Sequence, residues 1–250
     1  ASHLVVAPGN VTEAGFVDSA EHRQGLAIIY NQYHRLGTDE TAHDAERAIF
    51  QPLFTTSFLI EDFMRASNWH GAEALLMTSA SSKTSLGLAM VAKNLSPEIK
   101  RIGLTSAGNA AFVTKTGLYD EVLTYDKLAE ADSDQATVSV DFAGNSKLLA
   151  SVHSHYGNNL KFSSLVGVTH ISDRTGGGNL EGPEPVLFFA PTAAETLMKD
   201  IGPIEFRARV DAQFAEFVKS ASAYLTIENL TGTRSEERRV GKGGSCWGCA

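Results

Sequence analysis

The chain has 250 residues, 43% hydrophobic and 20% charged, an ordinary globular composition sufficient for one large domain or two smaller ones. A formal net charge of −8 argues against a general nucleic-acid binder, which would carry a basic patch. No apolar run approaches the roughly 18 residues of a membrane span and no basic-then-apolar leader opens the chain, so neither nucleic acid nor membrane is expected as a partner and a cytoplasmic location is.

Residues 1 to 20 read as strand and turn, with Pro8-Gly9-Asn10 as the break. Residues 24 to 36 suit a helix or a mixed segment, and the polar stretch after them reads as exposed. The segment 46–68 predicts a helix, with Phe54, Phe58, Leu59 and Phe63 on one face. Asn68-Trp69-His70-Gly71 closes it. Strands are then predicted at 74–77, 102–105, 121–125, 136–140 and 165–169, alternating with helices at 85–95, 109–116 and 146–155. Gly117 is the C-terminal stop of the second of these helices. Such alternation predicts βαβ units and a Rossmann-like parallel sheet with helices on both faces. The glycine-rich stretch 172–184 reads as a loop, 186–190 as a further strand, and 191–200 and 206–224 as helices.

Residues 74–94, ALLMTSASSKTSLGLAMVAKN, are the most informative. An apolar run ends in small hydroxyl residues and a helical pattern starts at once. Helix N-termini present unpaired N–H groups and partial positive charge, which suit phosphate. Ser79, Ser81, Ser82, Lys83 and Thr84 can all donate to phosphate oxygens. The same serines could instead merely cap a helix, and on these residues alone both readings stand. Placement after the first of five alternating strands favours the phosphate cradle.

Lys83-Thr84 also imitates the end of GxxxxGK[ST], but the required glycines fall on Met77 and Ser82, which argues against a P-loop. A ribose-binding acid is expected at the end of the second strand for NAD. Ser106 stands there instead, followed by Asn109, so NADP is weakly favoured. His153 and His155 form an HxH near a helix end. With no cysteine before Cys246 and no HExxH, a zinc site is not expected. No GxSxG elbow is present. His170 would follow the fifth strand at its ligand-binding edge, as a ligand contact or a structural histidine. Tyr30, Tyr33 and His34 are candidate acid–base groups or plain core and surface.

Cys246-Trp247-Gly248-Cys249 is formally a CxxC, but half a zinc site needs two more ligands. The preceding RSEERRVGK resembles a translated sequencing adapter, so residues 234–250 are expected to be an artefactual tail. The start at Ala1 rather than Met reads as a processed, trimmed or incomplete N-terminus.

Residues 46–170 resemble the second half of a medium-chain dehydrogenase/reductase. A helix, PLFTTSFLIEDFM, leads into the first strand. That superfamily's AxGxxG turn falls on Ala80, Ser82 and Ser85. TGLYDEVLTYD resembles its LGADEVINY, and VSVDFAGN resembles VVLDSVGG. SASSKT, YNQYHR and FFAP resemble a domain-of-unknown-function branch. The resemblance implies a remnant of a GroES-like catalytic domain at 1–45 and a Rossmann-like nucleotide-binding domain at 46–175. It implies a C-terminal segment returning to the catalytic domain at 176–233.

By the same resemblance the chain is a zinc-independent, NADP-preferring oxidoreductase acting on a carbonyl or an activated alkene. It would be cytoplasmic, would take a small-molecule substrate, and would be a homodimer as is common in the superfamily. Gly144, Val168, Thr169 and His170 would lie near the nicotinamide, and the serine-rich turn near the pyrophosphate. The superfamily's lysine for a 2′-phosphate falls on Asn109. Tyr33 and His170 are the candidate catalytic groups. The resemblance further implies that most of the catalytic domain would be missing, which leaves turnover by this chain open. The alternative is a Rossmann-like protein without redox activity, binding a phosphate- or CoA-bearing ligand or acting as a non-redox lyase.

Overall fold

A computed structural model describes residues 4–35, 43–166 and 180–228. The chain divides into two compact units, Ala1–Ala48 and Ile49–Ala250. The first is an antiparallel meander of β1 (Pro8–Thr12), β2 (Gly15–Asp18) and β3 (Gln32–His34). Pro8-Gly9-Asn10 does not break the chain: it lies inside β1. Asn10 takes the left-handed conformation that asparagine tolerates, at φ 48, where the register with β2 shifts. Gly15 is required by crowding, since a Cβ there would lie 1.9 Å from the Tyr33 carbonyl oxygen.

The second unit begins within α1 (Asp44–Ala66) and continues β4 (Ala74–Met77), α2 (Lys83–Leu95), β5 (Lys100–Thr105), α3 (Ala107–Thr116), β6 (Glu121–Thr124), β7 (Thr137–Asp141), α4 (Ser146–Tyr156), β8 (Leu160–Leu165), β9 (Val186–Leu187), α5 (Ala190–Ile201) and α6 (Pro203–Ala221). Its six strands are all parallel, in the order β6-β5-β4-β7-β8-β9. Both faces are covered, so β4 and β7 are buried at every residue rather than alternating. Ala74 and Leu76 pack with Ile102, Leu104, Val152 and Tyr156 in one layer. α1 carries an aromatic seam to α6: Phe54 lies 5.4 Å from Phe214 and 5.1 Å from Phe217, between ring centroids.

Two helical details position the later loops. Gly87 lets α2 approach α1 closely: a Cβ there would meet Ser57 Oγ at 2.7 Å. Ser57 Oγ in turn donates to the Thr84 carbonyl at 2.7 Å. The turn Asn68–Gly71 ends α1 with Asn68, Trp69, His70 and Gly71 all at positive φ.

Two expectations need correction. Phe63 is not on the buried face of α1; it is 37% exposed, and Met64 is buried in its place. The fifth strand is Leu160–Leu165 rather than 165–169. Its sequence LKFSSL hides it, because Ser163 and Ser164 are polar yet buried.

α1 also buries Glu61 completely. Its Oε1 accepts from Ser96 Oγ at 2.8 Å, and Arg65 Nε stands 3.2 Å away. Burial raises this carboxyl above its ordinary value, outweighing the lowering by Ser96 and Arg65. The folded state therefore holds the proton more tightly than the unfolded one. That contribution is complete below the unfolded pKa and is lost as pH rises through the folded one. Glu61→Gln keeps an acceptor for Ser96, and Arg65 keeps Asp62 at 2.7 Å. Thermal melts should show the variant more stable than wild type at pH 7, and the two coinciding below about pH 4. A lower Tm for the variant at pH 7 would contradict this account.

Candidate functional site

β4 and β7 are neighbours whose chain connections run to opposite sides of the sheet. This is the topological switch point, where open parallel sheets bind ligands beyond their carboxyl ends. The two strand ends are tied together there. Thr78 Oγ1 donates to Asp141 Oδ1 at 2.6 Å and accepts from the backbone N–H groups of Phe142 at 2.9 Å and Ala143 at 3.0 Å.

The turn after β4 is built without glycine. Ser79 has φ 50, in the left-handed region, and its carbonyl accepts Ser82 N–H at 2.8 Å. Ala80 N–H donates to the Leu104 carbonyl at 2.9 Å, pinning the turn to β5. From below, the Tyr119 hydroxyl donates to the Ala80 carbonyl at 2.7 Å and lies 3.0 Å from Ser85 Oγ. The Tyr119 ring has room because residue 103 is glycine; a Cβ there would meet the ring at 2.8 Å and Ala80 Cβ at 3.0 Å. Ser85, at the third position of the AxGxxG pattern, thus uses its hydroxyl inside the fold and is fully buried.

Ser82 caps α2, its Oγ accepting Ser85 N–H at 3.3 Å. By helix geometry the Lys83 and Thr84 amides have no intrahelical acceptor. With the Lys83 ammonium and the hydroxyls of Ser82 and Thr84, they form a donor set at the positive end of the α2 dipole.

A cleft of about 310 Å³ opens beside this turn, lined by Ser79, Tyr125, Ala143, Asn145 and Leu148. The Tyr125 hydroxyl is hydrogen-bonded to Ser79. Burial, with the nearby charge of Asp141, pushes the phenol above its ordinary value against the lowering by Ser79. Tyr125 therefore stays a neutral hydrogen-bonding group. Asn145 caps α4 by accepting from Lys147 and Leu148 N–H. Gly144, beside it, takes φ 64.

Most of the residues singled out from the sequence gather at this edge. Asn109 Nδ2 donates to Ser81 Oγ at 3.0 Å, joining the start of α3 to the serine turn. Ser106 is the N-cap residue of α3, exposed, with no cap hydrogen bond from its side chain. Val168, Thr169 and His170 lie outside the described residues. Tyr33 belongs to the first unit, where its ring stacks on Phe16 at 4.9 Å.

The HxH pair is structural: His153 is buried between Ser163 Oγ at 2.9 Å and the Glu181 carbonyl at 2.8 Å, and His155 meets the Ala131 carbonyl at 3.0 Å. Among the described residues no group of three or more His, Cys, Asp or Glu is placed to hold a metal ion, and no helix is long and apolar enough to cross a membrane. Thr78, Tyr119, Tyr125 and Asn145 are not singled out by the sequence. Their signal was their place in quoted stretches: Thr78 in ALLMTSASSKT, Tyr119 and Tyr125 in TGLYDEVLTYD, and Asn145 in VSVDFAGN.

Strand order and switch-point cleft define the class: a Rossmann-like α/β protein. The chain belongs to the family described as a protein of unknown function (DUF2855), which matches residues 1–239. That match runs past residue 234, where the tail was expected to begin. Comparison with curated proteins gives no significant match.

Among solved structures, the chain is similar to a Mesorhizobium loti protein provisionally described as an NADPH:quinone reductase. The identity is 15% and the TM-score 0.52, over 86% of this chain and 62% of that one. It is also similar to the quinone oxidoreductase of Thermus thermophilus, whose complex with NADPH is known. Here the identity is 15% and the TM-score 0.50, over 83% of this chain and 77% of that one. The chain thus spans less than two thirds of the Mesorhizobium protein, and at these identities the likeness is one of fold.

Proposed function

We propose that this chain binds NADP(H) at the switch-point cleft, as part of a zinc-independent oxidoreductase of the medium-chain reductase type acting on a carbonyl or an activated alkene. The observation that carries this reading is the phosphate-donor set at the α2 N-terminus, beside the cleft lined by Ser79 and Tyr125. The residues present fit the group. Lys83 and Thr84 amides face a diphosphate seat. Asn109 and Ser106 put no carboxylate where a 2′-phosphate would lie. Tyr125 offers a neutral hydroxyl. Ser82 departs from the glycine pattern, but its Oγ turns back to Ser85 N–H.

When bound, the coenzyme supplies or accepts a hydride; the chain's own groups bind and orient it. In this reading Gly144, Val168, Thr169 and His170 flank the nicotinamide. In the same reading residues 1–45 are part of a catalytic domain, which holds Tyr33. The protein would be a cytoplasmic homodimer acting on a small molecule. Likeness of fold to the two NADPH-linked reductases supports the reading without supplying the substrate.

A second reading is favoured by one feature, the Cβ of Ser82 at the point of closest approach. A ligand bearing a single phosphate or a CoA moiety, without redox chemistry, needs no second close approach there.

Calorimetric titration of the chain with NADPH, NADH and a CoA ester separates the two. NADPH is expected to bind best, and Lys83→Ala to weaken it about tenfold through loss of a charge-assisted hydrogen bond. Absence of NADPH binding tighter than about 1 mM, a free energy of only ~4 kcal/mol, would overturn the first reading. Tighter binding of the CoA ester would establish the second.

A further inference from the structure

A second concavity shares no lining residue with the cleft. It is a groove of about 450 Å³ between α1, β8, β9 and α5. Its walls are aromatic. Phe63 stands 5.7 Å from Phe162 and 5.9 Å from Phe188, between ring centroids, and Phe162 stacks on His70 at 4.2 Å. Such a volume, with apolar walls and few polar groups, has the character of a small-molecule site.

One polar group in it has an unmet need. Ser164 of β8 is 1% exposed, lines the groove, and its Oγ has no hydrogen-bond partner among the described residues. The contrast is next door. Ser163, on the other face of the strand, is bonded to His153 Nε2 at 2.9 Å and to Ser139 Oγ at 3.3 Å. A buried hydroxyl without a partner is unfavourable, and a ligand group in the groove would satisfy it.

Charge narrows the occupant. Among the described residues no lysine or arginine lines the groove, whereas Asp62 and Asp200 do. Asp62 is matched by Arg65 at 2.7 Å. A carboxylate or phosphate ligand would meet repulsion and no counter-charge, while the already paired Asp62 and the solvent-exposed Asp200 offer a cation little, so a neutral occupant fits best. The aromatic walls favour a ring, which packs edge-on or offset against phenylalanine.

We propose that this groove is a ligand site for a neutral aromatic molecule carrying one hydroxyl or carbonyl group, with the ring among Phe63, Phe162 and Phe188 and the oxygen hydrogen-bonded to Ser164 Oγ. The site is independent of the coenzyme reading.

The test titrates the chain with 4-phenylbutan-1-ol and, separately, with 4-phenylbutanoate, which differs in carrying a charge. The alcohol is expected to bind below about 1 mM and the carboxylate at least tenfold more weakly. Ser164→Ala should weaken the alcohol about fivefold to tenfold. Thr196→Trp, at an exposed position of α5 lining the groove, should abolish binding with Tm and the response to NADPH unchanged. The proposal is overturned if the alcohol does not bind, if it binds both variants as it binds wild type, or if the carboxylate binds equally well. It is also overturned if sedimentation shows a dimer that Thr196→Trp dissociates, because the occupant would then be a second copy of the chain.

Discussion

Thr78→Val should lower the stability of the second unit by about 3 kcal/mol. Valine has the shape of threonine, so packing is kept and only the hydroxyl is lost. That hydroxyl belongs to a residue only 2% exposed and serves three partners: Asp141 Oδ1, Phe142 N–H and Ala143 N–H. Ala143 N–H retains Asp141 Oδ1 at 3.1 Å. The carboxylate loses its shortest donor, and Phe142 N–H loses its acceptor. A hydrogen bond to a charged group contributes about 1.5–3 kcal/mol, and a stranded buried donor costs a further 1–3 kcal/mol. At about 2–4 °C per kcal/mol for a domain of this size, Tm should fall by roughly 6–12 °C. Thr78→Ser keeps the hydroxyl and should stay within about 1 kcal/mol of wild type. If valine and serine prove equally harmless in denaturant titrations, the strand tie at the switch point is not what holds β4 to β7.

The sheet was legible where burial and hydrophobicity coincide. ALLM announces β4 because a strand covered on both faces can be apolar throughout, whereas β5 and β7 were read from the apolar parts of KRIGLT and TVSVD although Arg101, Thr137, Ser139 and Asp141 are buried and polar. β8 was misplaced because it buries two serines, and Ser163 answers to groups on other elements. Ser163 meets His153 and Ser139, and no local pattern encodes those partners. Periodicity put Phe63 on one face with Phe54, Phe58 and Leu59, whereas Phe63 is partly exposed and turns towards Phe162 and Phe188 in a groove.

The serine turn was legible as a tight turn between strand and helix, and its placement after the first strand favoured a phosphate cradle over a plain helix cap. Its support was not. Gly103 reads as an ordinary strand residue until the Tyr119 ring is seen over it, and Tyr119 reads as part of a loop until its hydroxyl is seen under Ala80. Two glycines of the AxGxxG pattern are serines here, and one of them, Ser85, is accommodated by Tyr119. At Ser82 the question is electrostatic, and a single substitution isolates it.

Ser82→Asp separates the helix cap from the phosphate seat. Aspartate is at least as good an N-cap as serine, and its charge is favourable at the positive end of the α2 dipole by about 0.3–1 kcal/mol. Ser82 already has the extended backbone of a cap, φ −70 and ψ 150, so no rearrangement is needed. The variant should therefore melt at or slightly above the wild-type temperature. A bound phosphate at the Lys83 and Thr84 amides would then face a carboxylate about 4–5 Å away. At an effective dielectric constant near 20 that repulsion is about 3–4 kcal/mol, which is a loss of at least about 100-fold in NADPH affinity. Ser82→Gly is the counterpart. It costs the cap only a few tenths of a kcal/mol, removes the Cβ at the closest approach, and should leave NADPH binding equal or tighter. A Ser82→Asp protein that keeps both its Tm and its wild-type NADPH affinity would remove phosphate from the α2 N-terminus. A carboxylate at that cap can coexist with the helix, but not with a second anion held on the neighbouring Lys83 and Thr84 amides.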